Sequence, residues 1–320
     1  MEINSQHHGG RPEEISRILV TIFLAVVLII TVVLNGLAGP GASPFSQSTG
    51  DVSNQLFTCI TPAGYTFIIW SIIYTALVLI VIYAISLLLL RVDGVKAWKH
   101  GGAVSFSFML VLAVNLILNV GWLFAWDAVN ATASFIILLL VAVTNIIAIS
   151  LSAYSFARVA SSLYQKSKFH FWSGILVING MGLYVTWTII AALLNVTIFF
   201  MYEVKVDSNG VCLGVLIFLL VSFIFWFILE NAVFTVFANP LLTHYIVLLW
   251  AIVGVYVEQK DSVSTEVSAL MVTIIAASSI MLVARVVILV YRNRNNATYS
   301  QPTTHNSVKV DACETQDRLY

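Results

Sequence analysis

Residues 60–77 read ITPAGYTFIIWSIIYTAL, eighteen residues without a charge and with four aromatic rings. Thr61 is a helix-capping type, and Pro62 suits a first turn, where its missing N–H leaves no bond unmade. The stretch therefore predicts a helix that starts sharply and runs on in apolar surroundings. Phe67, Trp70 and Tyr74 stand at i, i+3 and i+7, one stripe of that helix. Tyr65 suits an interfacial aromatic belt, but Trp70 and Tyr74 lie deeper, where a belt no longer accounts for them.

The rest of the chain shows what surrounds such a helix. Of its 320 residues 60% are hydrophobic and 9% charged, with a mean hydropathy of +0.96. Soluble domains carry about 25% charged residues, so one water-exposed core cannot hide this composition. The solvent is lipid, and membrane lipid is the first partner. Fifteen Lys and Arg balance fifteen Asp and Glu, which leaves no basic field for nucleic acid. Neither the three cysteines nor the six histidines have the spacing of a metal or redox site, and no phosphate-loop, dinucleotide or serine-hydrolase motif occurs. No cofactor or metal is expected, nor an enzyme, since no nucleophile, base and orienter can be assembled on facing helices.

A bilayer core takes about 20 apolar residues in a helix to cross. Eight stretches qualify, near 16–38, 62–90, 103–126, 129–155, 170–201, 211–237, 240–258 and 265–291. The third and fourth are joined at Asp127, and the sixth and seventh at Asn239-Pro240, both as tight hairpins. Arg11 and Arg17 precede the first stretch, and Arg91, Lys96, Lys99, Arg158, Lys166, Lys168, Arg292 and Arg294 fall in alternate loops. Such a bias places both termini in the cytoplasm. The alternative is a cleaved first helix, since a run ending in Gly36-Leu37-Ala38-Gly39 also fits a signal peptide and would leave seven helices. The expected division is a tail at 1–15, a bundle at 16–202, three further helices at 211–292 and a disordered tail at 293–320. Residues 39–60, rich in Gly, Ser and Pro, read either as a flexible connector or as a lid.

Two further helices carry stripes like that of 60–77. Asn115, Asn119, Trp122 and Trp126 fall at spacings of four, three and four, and Tyr184, Trp187, Ala191 and Asn195 at three, four and four. Polar side chains at membrane depth turn inward, because hydrocarbon gives them no hydrogen-bond partner. Two readings stand side by side. The asparagines, with Asn145 and Asn179, either glue helices together at about 0.6 kcal/mol each, or they line an apolar cavity with a few convergent polar groups.

With these residues in view, the chain resembles the translocator protein family, also called tryptophan-rich sensory proteins. ITPAGYTFIIWSIIYTAL (60–77) is similar to that family's Thr-Pro-x-Gly-aromatic segment, NLILNVGWLFAW (115–126) to its asparagine and tryptophan helix, and GLYVTWTIIAALLNVTIF (182–199) to its fifth helix. LLWAIVGVYVE (248–258) resembles a segment of longer relatives with added helices. The resemblance implies an all-α membrane protein of about eight helices, a five-helix bundle followed by three more. It also implies a pocket for a flat hydrophobic small molecule of the porphyrin or sterol class, which the protein senses or translocates. Carried over by position, Trp70, Tyr74, Asn115, Asn119, Trp122, Trp126, Trp187 and Asn195 form that ligand-binding set. The chain departs from the family at Ile68 and Ile69, where further proline or tryptophan is common. A second copy of the chain is an admissible partner.

Outside those motifs, Glu230 and Arg285 reach similar depth on two helices of the same direction and predict an ion pair, the alternative being that each snorkels to water. Cys59 and Cys212 fall at the same side of the membrane and are candidates for a disulfide. A weak sterol pattern spans Val196 to Lys205 around Tyr202, and Leu289–Arg294 meets it as well. Asn130 opens a glycosylation sequon in a loop too short to favour a glycan. Helices one to five hold no central ionisable group, which favours a hydrophobic ligand over the alternatives: a receptor or carrier of a polar solute, or a ligand-free membrane scaffold.

Overall fold

The structure, a computed structural model, describes residues 10–295. Of the predicted tails at 1–15 and 293–320, residues 1–9 and 296–320 lie outside the described residues. Ten α-helices follow one another: α1 (Gly10–Ala38), α2 (Thr49–Gln55), α3 (Ile69–Leu89), α4 (Phe106–Asp127), α5 (Ala131–Ala157), α6 (Ala160–Lys166), α7 (Lys168–Ile198), α8 (Ser208–Ala232), α9 (Thr243–Gln259) and α10 (Thr265–Asn295). Seven are long and apolar enough to cross a membrane, and α9 is a shorter apolar helix of 17 residues. Isoleucine, valine, leucine and phenylalanine side chains are exposed along α1, α3, α5, α8 and α10, as a hydrocarbon solvent requires.

Five helices close a ring in the order α1, α3, α7, α5, α4 and back to α1. Leu24, Ile73, Leu77, Phe108, Leu112 and Leu116 fill its interior and are fully buried. Outside the ring α9 packs on α7, and α10 packs on α9 and α8. A two-stranded hairpin, β1 (Arg91–Val92) with β2 (Val95–Lys96), lies at the basic end, where Lys96 pairs with Glu14. Helix one is integral to the bundle, for Arg17 donates to the Val104 carbonyl and Asn35 reaches Asn119.

Several predicted boundaries move for physical reasons. Helix one is already formed at Gly10, the first described residue and six before the expected 16, and Glu13 in the first described turn suits a helix's positive end. Thr61 does not cap helix two. Its hydroxyl accepts the Thr58 N–H and its carbonyl accepts Gln259 Nε2 at 2.8 Å, so the chain stays extended through Pro62 and enters a 3-10 turn at Gly64–Ile68 before α3. The tight hairpin at Asn239-Pro240 is instead a ten-residue connector, 233–242. Helix α8 stops at Ala232 because the connector's carbonyls have better partners: Arg285 donates to those of Ala238 and Asn239, and Asn179 to that of Pro240. Residues 293–295 continue α10 instead of beginning a tail.

Asn179 does more than bond one carbonyl. The α9 N-cap, Leu242, offers no side-chain acceptor, and the Asn179 Oδ1 on α7 takes the N–H groups of Leu242 and Thr243 at 3.0 and 3.3 Å. Thr243 Oγ1 in turn donates to the Asn179 carbonyl at 2.7 Å. One carboxamide thus caps a neighbouring helix across an interface. The close approach depends on Gly182, where a Cβ would stand 2.5 Å from Leu241 and Thr243 side-chain atoms.

At the opposite end Cys59 and Cys212 form a disulfide, their Cα atoms 6.2 Å apart, which ties the segment before α3 to α8. Two outcomes follow. Asn179→Leu leaves three backbone groups without partners and should cost about 2–3 kcal/mol at roughly 1 kcal/mol each, read as a lower thermal midpoint with faster hydrogen exchange confined to 239–247. Cys212→Ser should lower the midpoint too, by an amount that reductant reproduces in the wild type and does not add to in the variant.

Candidate functional site

The aromatic stripes of α3, α4 and α7 meet at the loop end of the ring. Trp70 is the hub. It stacks on Tyr74 (centroids 5.6 Å apart, planes 16°) and stands edge-on to Trp187 at 6.2 Å and to Tyr184 at 6.3 Å. Phe67, in the 3-10 turn, also meets Trp187 edge-on at 6.2 Å. Across from them Trp122 and Trp126 stack at 5.4 Å. Such offset and edge-to-face pairs are worth about 0.5–1.5 kcal/mol each beyond burial, which holds the rings as walls.

The asparagines divide between the two readings. Asn119 braces the wall: its Oδ1 accepts from Tyr74 Oη at 3.2 Å and from Asn35 Nδ2 at 3.0 Å. Asn195 lies at the cavity, its Nδ2 bonded to the Ala191 carbonyl of its own helix. Asn115 corrects the expectation. It sits one turn below Asn119, where α4 packs on α5, and its Nδ2 donates to the Val141 carbonyl and to Thr144 Oγ1, both at 2.8 Å. It joins helices and lines neither space described next. Asn145, bonded to Thr188 Oγ1, is glue of the same kind.

Two spaces adjoin these rings. The first is a narrow apolar chamber of about 60 Å³, bounded by Trp70, Trp122, Trp126, Trp187 and Asn195, with α8 and α9 supplying Leu216, Leu219, Leu248, Ile252 and Val255. The second is an open cleft of about 820 Å³ between α1 and α3, beneath α2. Val32 and Asn35 come from α1, Ser53 and Asn54 from α2, Ser71, Tyr74, Thr75 and Val78 from α3, and Glu258 stands at its edge. Phe67, Trp70 and Trp122 line both, so the indoles form a partition. Buried polar atoms around the partition have no hydrogen-bond partner: Trp122 Nε1, Trp187 Nε1, Asn119 Nδ2 and Asn195 Oδ1.

The segment 39–60 covers this region as an ordered structure. Ser48 and Asp51 close a reciprocal cap at the start of α2. Asp127 Oδ1 accepts the N–H groups of Ser46 and Gln47 at 2.8 and 3.2 Å, and Trp126 Nε1 donates to the Thr49 carbonyl at 3.2 Å. Tyr202, the centre of the weak sterol pattern, donates its hydroxyl to the Phe57 carbonyl at 2.9 Å and so anchors the same segment. Asn130 of the sequon caps α5 through Ala133 N–H.

Sequence reasoning missed three contributors. Asn35 was detectable as a carboxamide inside an apolar run. Glu258 and the α8 and α9 wall were not, because nothing in their spacing says which side of the ring they cover. That wall is held by a seam on the TPAG segment. Ala63 N–H donates to the Gly254 carbonyl at 3.1 Å, and Trp250 Nε1 to that of Thr66 at 3.0 Å. A Cβ on Gly254 would fall 2.1 Å from Thr66 Cγ2, so glycine permits the contact. Glu230 and Arg285, expected as a pair, stand 3.5 Å apart toward the basic end and line neither space.

A protein-family model described as TSPO-like protein matches residues 19–290, a span that runs from α1 into α10 and includes the last three helices. Neither a curated protein nor a solved structure matches the chain. The tryptophan partition, the asparagine brace and the family match over most of the sequence agree, and the chain belongs to the TSPO-like protein family as a multi-pass membrane protein.

Proposed function

We propose that the protein is a non-enzymatic binder of a flat hydrophobic small molecule of the porphyrin or sterol class, which it senses or translocates. The cleft between α1 and α3 is the seat, and the observation that carries this is its size and surface together. At about 820 Å³ it falls in the range of about 300–1,000 Å³ usual for small-molecule sites, and Trp70, Tyr74, Phe67 and Trp122 offer it ring faces. The 60 Å³ chamber is too small for such a body unless the indole partition turns aside. Charge favours the sterol class of the two. Among the described residues no Lys or Arg lines the cleft, and Glu258 at its edge repels a porphyrin that carries carboxylates.

The basic loops and the disulfide lie at opposite ends of the bundle, which supports termini in the cytoplasm and the α2 segment on an oxidising side.

Titration of the purified protein with a fluorescent sterol and with protoporphyrin, followed by tryptophan fluorescence, tests the reading. Saturable binding should weaken about 2–13-fold in Trp122→Phe, as loss of one stacking contact of about 0.5–1.5 kcal/mol predicts. Trp187→Phe should change it less, since Trp187 faces only the chamber. No saturable signal removes the reading, and equal losses in both variants move the ligand into the chamber. Glu258→Lys should strengthen protoporphyrin binding by about 5-fold, near 1 kcal/mol for one partly screened charge, and leave sterol binding unchanged.

A further inference from the structure

Below the chamber, toward the basic end, α8 and α9 carry a second constellation on the same faces. Along α8, Leu216 and Leu219 reach the chamber, while Phe223, Trp226 and Glu230 continue the stripe downward. Along α9, Val255, Ala251 and Leu248 face the chamber and His244 lies one turn further down. Phe223 separates the levels, packing on His244 at 5.9 Å and on Tyr245 at 5.3 Å. The lower level is closed to solvent, with Glu230 and Arg285 at 0% exposure and His244 at 4%.

Glu230 is its centre. Oε1 accepts from the Tyr245 hydroxyl and lies 3.5 Å from Arg285 Nε, and Oε2 lies 3.3 Å from His244 Nε2. Arg285 also donates to Asn231 Oδ1 at 2.8 Å and to the Ala238 carbonyl at 2.6 Å, and Arg292 donates to the Asn231 carbonyl at 2.9 Å. The groups facing His244 are therefore Glu230 and Trp226 from α8, Tyr245 from α9 and Arg285 from α10, with Arg292 beyond.

His244 Nε2 has two neighbours at the same distance: Trp226 Nε1 at 3.3 Å and Glu230 Oε2 at 3.3 Å. An indole N–H only donates and a carboxylate only accepts, whereas a ring nitrogen holds either one lone pair or one N–H. Nε2 can serve one neighbour at a time. As a lone pair it accepts from Trp226 and leaves Oε2 unpaired, and as an N–H it donates to Glu230 and releases Trp226. Charge points the same way. Glu230 and Arg285 balance while His244 is neutral, and one added proton leaves a net positive charge in a closed, apolar seam, a state that draws in water or opens.

We propose that Glu230 and His244 form a proton-binding site, and that uptake of one proton loosens the basic-end seam between α8 and α9 beneath the chamber. The proton comes from water and bonds to the Nε2 lone pair of His244. The neutral ring carries its own N–H on Nδ1, so the added proton makes an imidazolium: the hydrogen bond from Trp226 is given up, one to Glu230 Oε2 is made, and no covalent bond in the protein breaks. The site stands independently of any ligand in the cleft.

The test uses the full chain in nanodiscs of zwitterionic lipid, with no ligand added. An imidazolium quenches a neighbouring indole, so the fluorescence difference between wild type and Trp226→Phe, followed from pH 5 to 8, reports Trp226 alone. It should fall in one step as pH falls, and the step should be absent against a His244→Gln background. Below the step, hydrogen exchange across 226–245, corrected for its intrinsic pH dependence, should quicken at least about threefold in wild type and in Trp226→Phe but not in His244→Gln. A flat fluorescence difference in the wild type overturns the proposal, as does an exchange step that persists in His244→Gln. Should His244→Gln not fold, the wild type and Trp226→Phe still decide, since both keep His244 and both must show the exchange step.

Discussion

Hydrocarbon offers a carboxamide or a backbone N–H nothing to bond, so the backbone groups at membrane depth must find their partners inside the protein. The requirement is sharpest at α9, whose 17 residues span about 25 Å and fall short of a bilayer core. Such a helix exposes both ends at depths where water cannot serve them. Asn179 caps one end from α7, and the TPAG segment meets the other through Gln259, Gly254 and Trp250. Glycine at 182 and 254 lets the backbones come close enough for those bonds. They add to the apolar packing of Val247, Leu248, Ala251 and Ile252 that lays α9 against the ring.

The position of α9 decides what kind of spaces the aromatic stripes enclose. Leu248, Ile252 and Val255 of α9, with Leu216 and Leu219 of α8, close the side of Trp187 and Asn195 that would otherwise face lipid. The result is a small apolar chamber on that side of the indole partition and a wide cleft on the other, toward α1. Bonds at Asp127, Thr49 and Phe57 hold the α2 segment over the cleft. Each of those bonds uses a backbone group of a loop that, by composition alone, had little to order it.

How much of this is written in the sequence depends on the range of the interaction. Helix existence follows from runs of apolar residues, a local property, and the convergence of Trp70, Trp122, Trp126 and Trp187 follows from spacing on each helix plus the rule that polar stripes turn inward. Asn115 shows where the rule stops. It shares the stripe of Asn119, but one turn of depth changes its neighbour from α1 and α3 to α5, and depth against a neighbour is a tertiary fact. Thr61 is a second case. Local chemistry offers it as a cap, yet its carbonyl is worth more to Gln259, and the helix start moves to suit. The connector at 233–242 breaks a helical pattern for the same reason, since Arg285 and Asn179 accommodate its carbonyls from other helices.

The last three helices also separate two kinds of surrounding that cannot share one space. A ligand cavity of low polarity gains from having no fixed charge nearby, because an ionised group there would demand water. The ring conforms, with its central polar groups all neutral amides, hydroxyls and indoles. The ionised groups are kept one level lower on α8, α9 and α10, with Phe223 between them and the chamber. Both levels nevertheless belong to one seam, since the residues that wall the chamber and those that hold the charges follow one another along the same two helix faces. A shift of α9 at His244 is carried to Leu248 and Ala251 by the helix itself, a rigid element that needs no further relay.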